Sequence, residues 1–378
     1  MKESIIIKNF GPIKEIEIKD IRPFTVFIGE SGSGKSTIMK VIVLFRWIYK
    51  MLNIRSYLKH ANISQSPFNF DFPAYLKNNG LSEYIKQDTD ILYQKGETKI
   101  HYSKKLATSP IVKENELSLE KMSFISDKRN IIPDILSGEA DVESFFLKET
   151  CDDFIIASKS KSASELNIDY LGVRYFSEKT SSGIKYFIKS ISDTRKHDPI
   201  KLENSSSGMQ NVIPLSAIVE YFSKDYDFNG QFNKMIFNFM AQNDNLKDFK
   251  AGLNIGEIKQ RNIHIHIEEP EQSLYPESQR NLLNFIVNRC FVEKHSDYKM
   301  TIMMATHSPY IINHLNLLIK ANDKDKLIEG AKLSYDDLSA YQVANGKIID
   351  LKIKNERLVD TNLLSDTIND IYDQYNQL

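Results

Sequence analysis

The sequence predicts an α/β fold: a mixed sheet flanked by helices, with a helical or mixed insertion arm. Three stretches predict it. Phe24–Gly29 ("FTVFIG") is a short apolar run that ends in a glycine–serine loop and passes at once into the helical run Ser36–Leu52. A second apolar run, "NIHIHIE", precedes the amphipathic helix "PESQRNLLNFIVNRCF", where Pro276 suits the first turn. A third, "KMTIMMATHS", leads into the helix "PYIINHLNLLIK". Buried strands that alternate with helices in this way belong in one layered domain.

Length and composition set the bounds. A chain of 378 residues can bury a large core and suggests two or three domain-sized units. Lys plus Arg is 49 against 50 for Asp plus Glu, so net charge points neither to nucleic acid nor to a membrane surface. Two cysteines, Cys151 and Cys290, are too few for a disulfide framework and suit a reducing compartment. The N-terminus lacks the apolar core and cleavage site of a signal peptide. Ile38–Leu52, the most apolar helix, carries Lys40, Arg46 and Lys50 and is too short and too charged to span a bilayer. The expectation is a cytoplasmic protein with no membrane partner.

Along the chain, "SIIIKNF" and "IKEIEIKDI" read as strands, and residues 1–52 form the N-terminal lobe. From 53 to 169 the pattern loosens into mixed aromatic, Asn and Lys residues with one strand candidate, "TKIHY"; this is the expected arm. Strand-like alternation resumes in "YLGVRYFS" and "GIKYFIKSI" around a "KTSSG" turn, opening a C-terminal lobe over 170–316. There "ENSSSGMQ" leads into the apolar helix "NVIPLSAIVEYF", and 224–261 reads as a second insertion. In the remainder, 317–378, "SAYQVANGKIIDLKIK" predicts a hairpin about Asn345–Gly346. A closing amphipathic helix follows, with Leu364, Ile368, Ile371, Tyr372 and Tyr375 on one face and Asp360 or Thr361 as its cap.

The chemistry concentrates at the strand ends. "GESGSGKS", Gly29 to Ser36, fits G-x-x-x-x-G-K-[ST] between a strand and a helix, which is the setting of a phosphate loop. Gly29, Ser31, Gly32, Ser33, Gly34, Lys35, Ser36 and Thr37 are the candidate nucleotide-binding residues. In that reading backbone N–H groups face phosphate oxygens, Lys35 reaches the β- and γ-phosphates, and the Ser36 hydroxyl ligates Mg²⁺. The second strand runs into Glu268, Glu269 and Glu271, and carboxylates there need a cation or water. Alone they fit a solvated turn; beside a phosphate loop, Glu268 completes the Mg²⁺ site and Glu269 is placed to activate water. His307 ends the third strand and reads as a γ-phosphate sensor. His264 and His266 share a strand face but lack further ligands, which favours packing or partner contact over metal. Ser207 and Gly208 open a helix whose unpaired N–H groups attract anions.

The order of Gly29–Ser36, Ser206–Gln210, Ile263–Glu269 with "EPEQSLYP", and Thr306–Ser308 resembles an ABC-type ATPase head with a P-loop. More narrowly, "NFGPIKEIEI" and "EEPEQSLYPESQ" resemble the RecF/SMC-related AAA ATPases of the overcoming-lysogenization-defect (OLD) group, common in bacterial anti-phage systems. The resemblance covers 1–51 and 170–316. It implies Lys35 and Ser36 as the Walker A pair and Ser207 and Gly208 in a signature loop that meets the nucleotide of the other protomer. It also implies Glu268 as the Walker B acid, Glu269 as catalytic base, Glu271 in the D-loop and His307 as switch histidine. ATP and Mg²⁺ are the implied cofactors, and a homodimer is the minimum assembly. Glu268 departs from the usual Asp, Met209 stands where transporters have glycine, and Gln65 is the only glutamine offered for a Q-loop. Arg129 resembles an arginine seen before the signature in these relatives, with no role attached.

Three functions follow. The first is an ATPase switch that controls a separately encoded effector, a nuclease or toxin, in phage defence. The second is a RecF- or SMC-like ATPase that handles DNA, with DNA or RNA as the partner. The third, a self-contained nuclease, is disfavoured because 317–378 is short for a catalytic domain.

Overall fold

The computed structural model describes residues 1–60, 72–142, 144–181, 183–191, 198–242, 258, 260–293 and 297–378. The chain opens with an antiparallel pair, β1 (Glu3–Phe10) and β2 (Ile13–Ile18). Alternation puts Ile5, Ile7, Ile16 and Ile18 on the buried face. β3 (Phe24–Ile28) is buried along its whole length and hands over to α1 (Lys35–His60). α1 continues past the expected Leu52 because Ile54, Tyr57 and Leu58 prolong its buried surface.

Next come α2 (Phe72–Asn78), β4 (Ile85–Lys95), β5 (Thr98–Ser103), β6 (Lys105–Thr108) and β7 (Ser118–Ile125). Then follow α3 (Ile132–Ser137), α4 (Phe145–Ala157), β8 (Glu165–Ile168), β9 (Val173–Thr180), β10 (Gly183–Ser190) and β11 (Ile200–Lys201). The arm expected over 53–169 is not a separate unit. β4 pairs with β1 from Glu3↔Lys95 onward, and β7 pairs in parallel with the strand that carries the acidic run. The physical reason is burial of Ile91 and Tyr93 on β4 and of most of "SLEKMSFI" on β7, spaced too loosely among polar residues to read as core strands.

α5 (Ser207–Lys224) and α6 (Phe228–Gln242) lead to β12 (Gln260–Glu268), α7 (Pro276–Val287), β13 (Lys299–Thr306) and α8 (Pro309–Asp323). The expected second insertion is α6 in part; 243–257 and 259 lie outside the described residues, as does Gln65. β14 (Leu338–Ala344) and β15 (Lys347–Asp350) form the predicted hairpin, with Asn345 and Gly346 at φ +54° and +76°. The small pair β16 (Lys352–Ile353) and β17 (Leu358–Val359) precedes α9 (Asn362–Gln377). Asp360 Oδ1 accepts the Asn362 N–H at 2.9 Å at the start of α9. Ile371, Tyr372 and Tyr375 on α9 are exposed, whereas the side chains of Leu364 and Ile368 lie outside the description. No helix among the described residues is long and apolar enough to cross a membrane.

The central sheet has the order β15-β14-β3-β13-β12-β7. β14, β3, β13, β12 and β7 run parallel and β15 is antiparallel, so the sheet is mixed as predicted. β14 lies beside β3, so the hairpin expected in 317–378 supplies a strand of the central sheet. Antiparallel sheets of order β2-β1-β4-β5-β6 and β11-β10-β9-β8 complete the fold. Registers Glu268↔Ala305 and Thr306↔Ile28 bring the ends of β12, β13 and β3 to one edge. Ligand chemistry on parallel sheets collects at that edge.

A buried polar network holds β12 against α1. Arg46 bonds both Glu3 oxygens at 2.7 and 3.0 Å and His266 Nε2 at 2.9 Å, while His266 Nδ1 faces the Ser123 carbonyl at 3.0 Å. His264 lies between Thr301 at 2.6 Å and Glu120 at 2.8 Å, and Glu120 also takes Lys95. Both histidine rings thus serve packing rather than metal. Burial, then Arg46 and Lys95, hold His264 down to about 4, and burial lowers His266 as well. Burial would raise Glu3, but Arg46 and then Lys95 outweigh it and hold it at about 2. His264, His266 and Glu3 each bind protons more weakly folded than unfolded, so the stability they contribute is complete above about pH 6.5. It fades for His264 between pH 6.5 and 4 and for Glu3 between 4.5 and 2. His264 alone loses on the order of 2 kcal/mol by pH 5. Thermal melts are therefore expected to show a Tm at pH 5 roughly 4 °C or more below that at pH 7.5. A flat profile across that window would mean the rings are not held neutral.

Candidate functional site

The loop between β3 and α1 needs its glycines. Gly29 sits at φ +155°, and a Cβ there would run into the Val343 carbonyl oxygen. Gly34, at φ +107°, would press a Cβ against Ile13 Cδ1 at 2.6 Å. Only glycine permits this backbone, which leads straight into the start of a helix. Lys35 is 5% exposed, and its ammonium donates to the Gly29 and Glu30 carbonyls at 2.9 and 2.8 Å, bending back over the loop. Burial lowers its proton affinity, while Glu269 and Glu271 pull the other way. Ser33 Oγ is buried with no hydrogen-bond partner among the described residues.

Glu268 ends β12 with its side chain almost fully covered, and its carboxylate lies 3.3 Å from Lys40 Nζ. Burial raises its pKa; Lys40 and the Ser36 hydroxyl oppose that, whereas Asp127 reinforces it. Lys40 was not among the residues singled out. Its signal was available, because it lies four positions after Ser36 and so on the same helix face.

Glu269 takes φ +44°, a left-handed conformation rare for a side chain of this kind, with its N–H bonded to the Ala305 carbonyl at 2.8 Å. The turn swings its carboxylate away from the buried Glu268 and to 3.4 Å from His307 Nε2; both side chains are part-exposed. Glu271 Oε1 accepts the His307 N–H at 2.6 Å, which fixes the end of β13 to the acidic turn. Glu271 Oε2 and Gln272 Oε1 are buried without partners among the described residues.

Ser206 is the N-cap residue of α5, its side chain makes no cap bond, and Ser207 is exposed. A Cβ at Gly208 would meet the Ser273 carbonyl oxygen at 2.8 Å, so this helix start packs on the turn after Glu271. No hydrogen bond among the described residues joins Ser207 or Gly208 to residues 29–37. One edge of the sheet thus gathers Gly29–Thr37, Glu268, Glu269 and His307, and the serine–glycine tip stands on the acidic turn beside them.

The fit to a magnesium nucleotide can be tested on these atoms. A glycine loop at a helix start, a buried ammonium, a hydroxyl and a carboxylate whose charge burial disfavours form the donor set of a phosphate and a hard cation. The unpartnered Ser33 hydroxyl and Glu271 oxygen lie in the same loop and turn. The residues fit.

The family described as "AAA domain, putative AbiEii toxin, Type IV TA system" matches residues 24–313. Among solved structures, the SMC head domain from Thermotoga maritima aligns with TM-score 0.39 and 13% identity over 93% of this chain and 100% of that one. An SMC head bound to the C-terminal winged-helix domain of ScpA gives 0.38 and 12% over 93% and 98%. The ADP conformation of an ATP-binding cassette of an ABC transporter gives 0.34 and 12% over 98% and 99%. No curated protein matches. The fold assignment stands on the chain's own strand order and the glycine loop between β3 and α1, and the family on the 24–313 match.

Proposed function

Because this chain belongs to the AAA-domain family described as putative AbiEii toxin of type IV toxin–antitoxin systems, we propose that it is an ABC-type ATPase switch that binds and hydrolyses ATP. The observation that carries the reading is the meeting of Lys35, Glu268, Glu269 and His307 at one sheet edge. Lys35 would leave its two carbonyls to neutralise phosphate oxygens. Glu269 would orient a water and take its proton, and His307 would hydrogen-bond the terminal phosphate and so register its presence. Ser36 and Glu268 would hold Mg²⁺, which when bound neutralises charge on the phosphates.

Two copies close face to face, each Ser207–Gly208 tip completing the nucleotide site of the other, and hydrolysis reopens them. We place the chain in the OLD group, as a cytoplasmic regulator of a separate nuclease or toxin in phage defence. That placement rests on the motifs "NFGPIKEIEI" and "EEPEQSLYPESQ".

Ser207→Glu tests the assembly. An acidic residue in the first turn favours the helix, so the fold is kept, but it repels a phosphate. ATP affinity is expected to stay within about twofold, while the ATP-dependent doubling of mass in light scattering is lost and hydrolysis falls at least roughly tenfold. Mixing Ser207→Glu with Lys35→Ala restores one intact composite site per heterodimer and part of the rate. Full activity of Ser207→Glu as a monomer would end the two-copy reading.

A further inference from the structure

Arg129 lies in the short helical turn after β7 and is 0% exposed. Among the described residues no carboxylate lies within ion-pair distance of its guanidinium. It donates instead to four main-chain carbonyls: Ser126 at 3.1 Å, Asn211 at 3.1 Å, Glu268 at 2.7 Å and Glu269 at 2.7 Å. A buried cation satisfied by carbonyls alone is an expensive arrangement, and a plain support for the turn would not need one. Burial lowers its pKa to about 10, partly offset by Glu271, Asp127, Glu269 and Glu268.

The carbonyls it selects are informative. Two belong to the consecutive glutamates at the end of β12, and the second of these is the left-handed Glu269. The Glu269 carbonyl also accepts the Gln272 N–H at 3.1 Å, and its own N–H is held by Ala305. The peptide is thus fixed on both sides in a strained conformation, and that conformation aims the carboxylate at His307. The Asn211 carbonyl lies in the first turns of α5, where the Asn211 side chain bonds back to the Ser207 carbonyl at 2.9 Å. One planar fork therefore joins the serine–glycine helix to the acidic turn.

We propose that Arg129 is the positioning residue for Glu269: it holds the left-handed peptide that aims the carboxylate, and it ties that peptide to the start of α5. The inference rests on the reading of Glu269 as base, and it assigns Arg129 no contact with nucleotide or water.

Arg129→Lys keeps the charge but cannot span four carbonyls, and Arg129→Gln offers two donors without charge. In either variant kcat for ATP hydrolysis is expected to fall on the order of 10- to 100-fold, with KM for ATP within about threefold, as misaiming without loss of binding predicts. On a Glu269→Gln background Arg129→Lys is expected to add nothing to the loss, since there is no base left to aim. An additive loss in the double variant would overturn the coupling while leaving Glu269 as base. A wild-type rate for Glu269→Gln alone would instead remove the base, and with it this inference. Equal rises in KM and falls in kcat/KM with kcat unchanged, or failure of both Arg129 variants to fold, would make Arg129 a structural support and overturn the proposal.

Discussion

Replacing Glu269 by glutamine is expected to leave ATP binding intact and to slow hydrolysis about 1,000-fold. The change is nearly isosteric, and the Glu269 side chain is part-exposed, so folding has little to lose. The left-handed backbone is held by main-chain bonds at Ala305, Gln272 and Arg129 and does not depend on the carboxylate. What disappears is the proton acceptor of a part-exposed carboxylate that faces His307. Glu268 cannot substitute, because it is buried against Lys40 at 3.3 Å. Removing one negative charge near Lys35 also favours a polyanion, so ATP affinity is expected to hold or tighten slightly. If turnover is what reopens the paired state, Glu269→Gln accumulates as a closed dimer with ATP. Single-turnover kinetics separate the step: unchanged ATP association with a collapsed hydrolytic rate supports the base, and a wild-type hydrolytic rate removes it.

The same site shows what a sequence discloses and what it conceals. The glycine loop between β3 and α1 was legible because its elements are contiguous: glycines at Gly29 and Gly34, an ammonium and a hydroxyl within eight residues of one another. β12 and β13 were legible because parallel central strands are buried on both faces and read as unbroken apolar runs. β4 and β7 were misread as part of an arm, since β4 alternates within a polar stretch and β7 lies at the sheet edge. Arg129 was least legible of all. Three of its four partners are carbonyls 82, 139 and 140 residues away, and a carbonyl leaves no mark in the sequence. The strained φ of Glu269 was invisible for the same reason. Side-chain chemistry can be read along a chain, whereas main-chain geometry has to be seen.

Lys35→Ala separates the nucleotide site from the fold that carries it. In the structure the Lys35 ammonium is covered, and the carbonyls of Gly29 and Glu30 accept its hydrogen bonds. Truncation removes a cation whose burial is itself unfavourable, and it leaves those carbonyls in a loop that water can reach. The cost to folding is therefore expected to be small, with Tm within roughly 4 °C of wild type. The cost to binding is large, because the charged groups that act on Lys35, Glu269 and Glu271, carry the wrong sign to replace its charge-assisted bond to phosphate. Affinity for ATP is expected to fall at least about 100-fold, roughly 2.7 kcal/mol. Since ligand stabilises the folded state by RT ln(1 + [L]/Kd), a 100-fold weaker affinity removes up to roughly 2.7 kcal/mol of the stabilisation that 1 mM MgATP gives, and the thermal shift should shrink accordingly. Lys35→Arg restores the charge but carries a broader head into a loop already tight at Gly29 and Gly34, and is expected to recover only part of the shift. An undiminished shift in Lys35→Ala would mean that the loop does not cradle the phosphates, and the roles given to Glu268, Glu269 and His307 would lose their common centre.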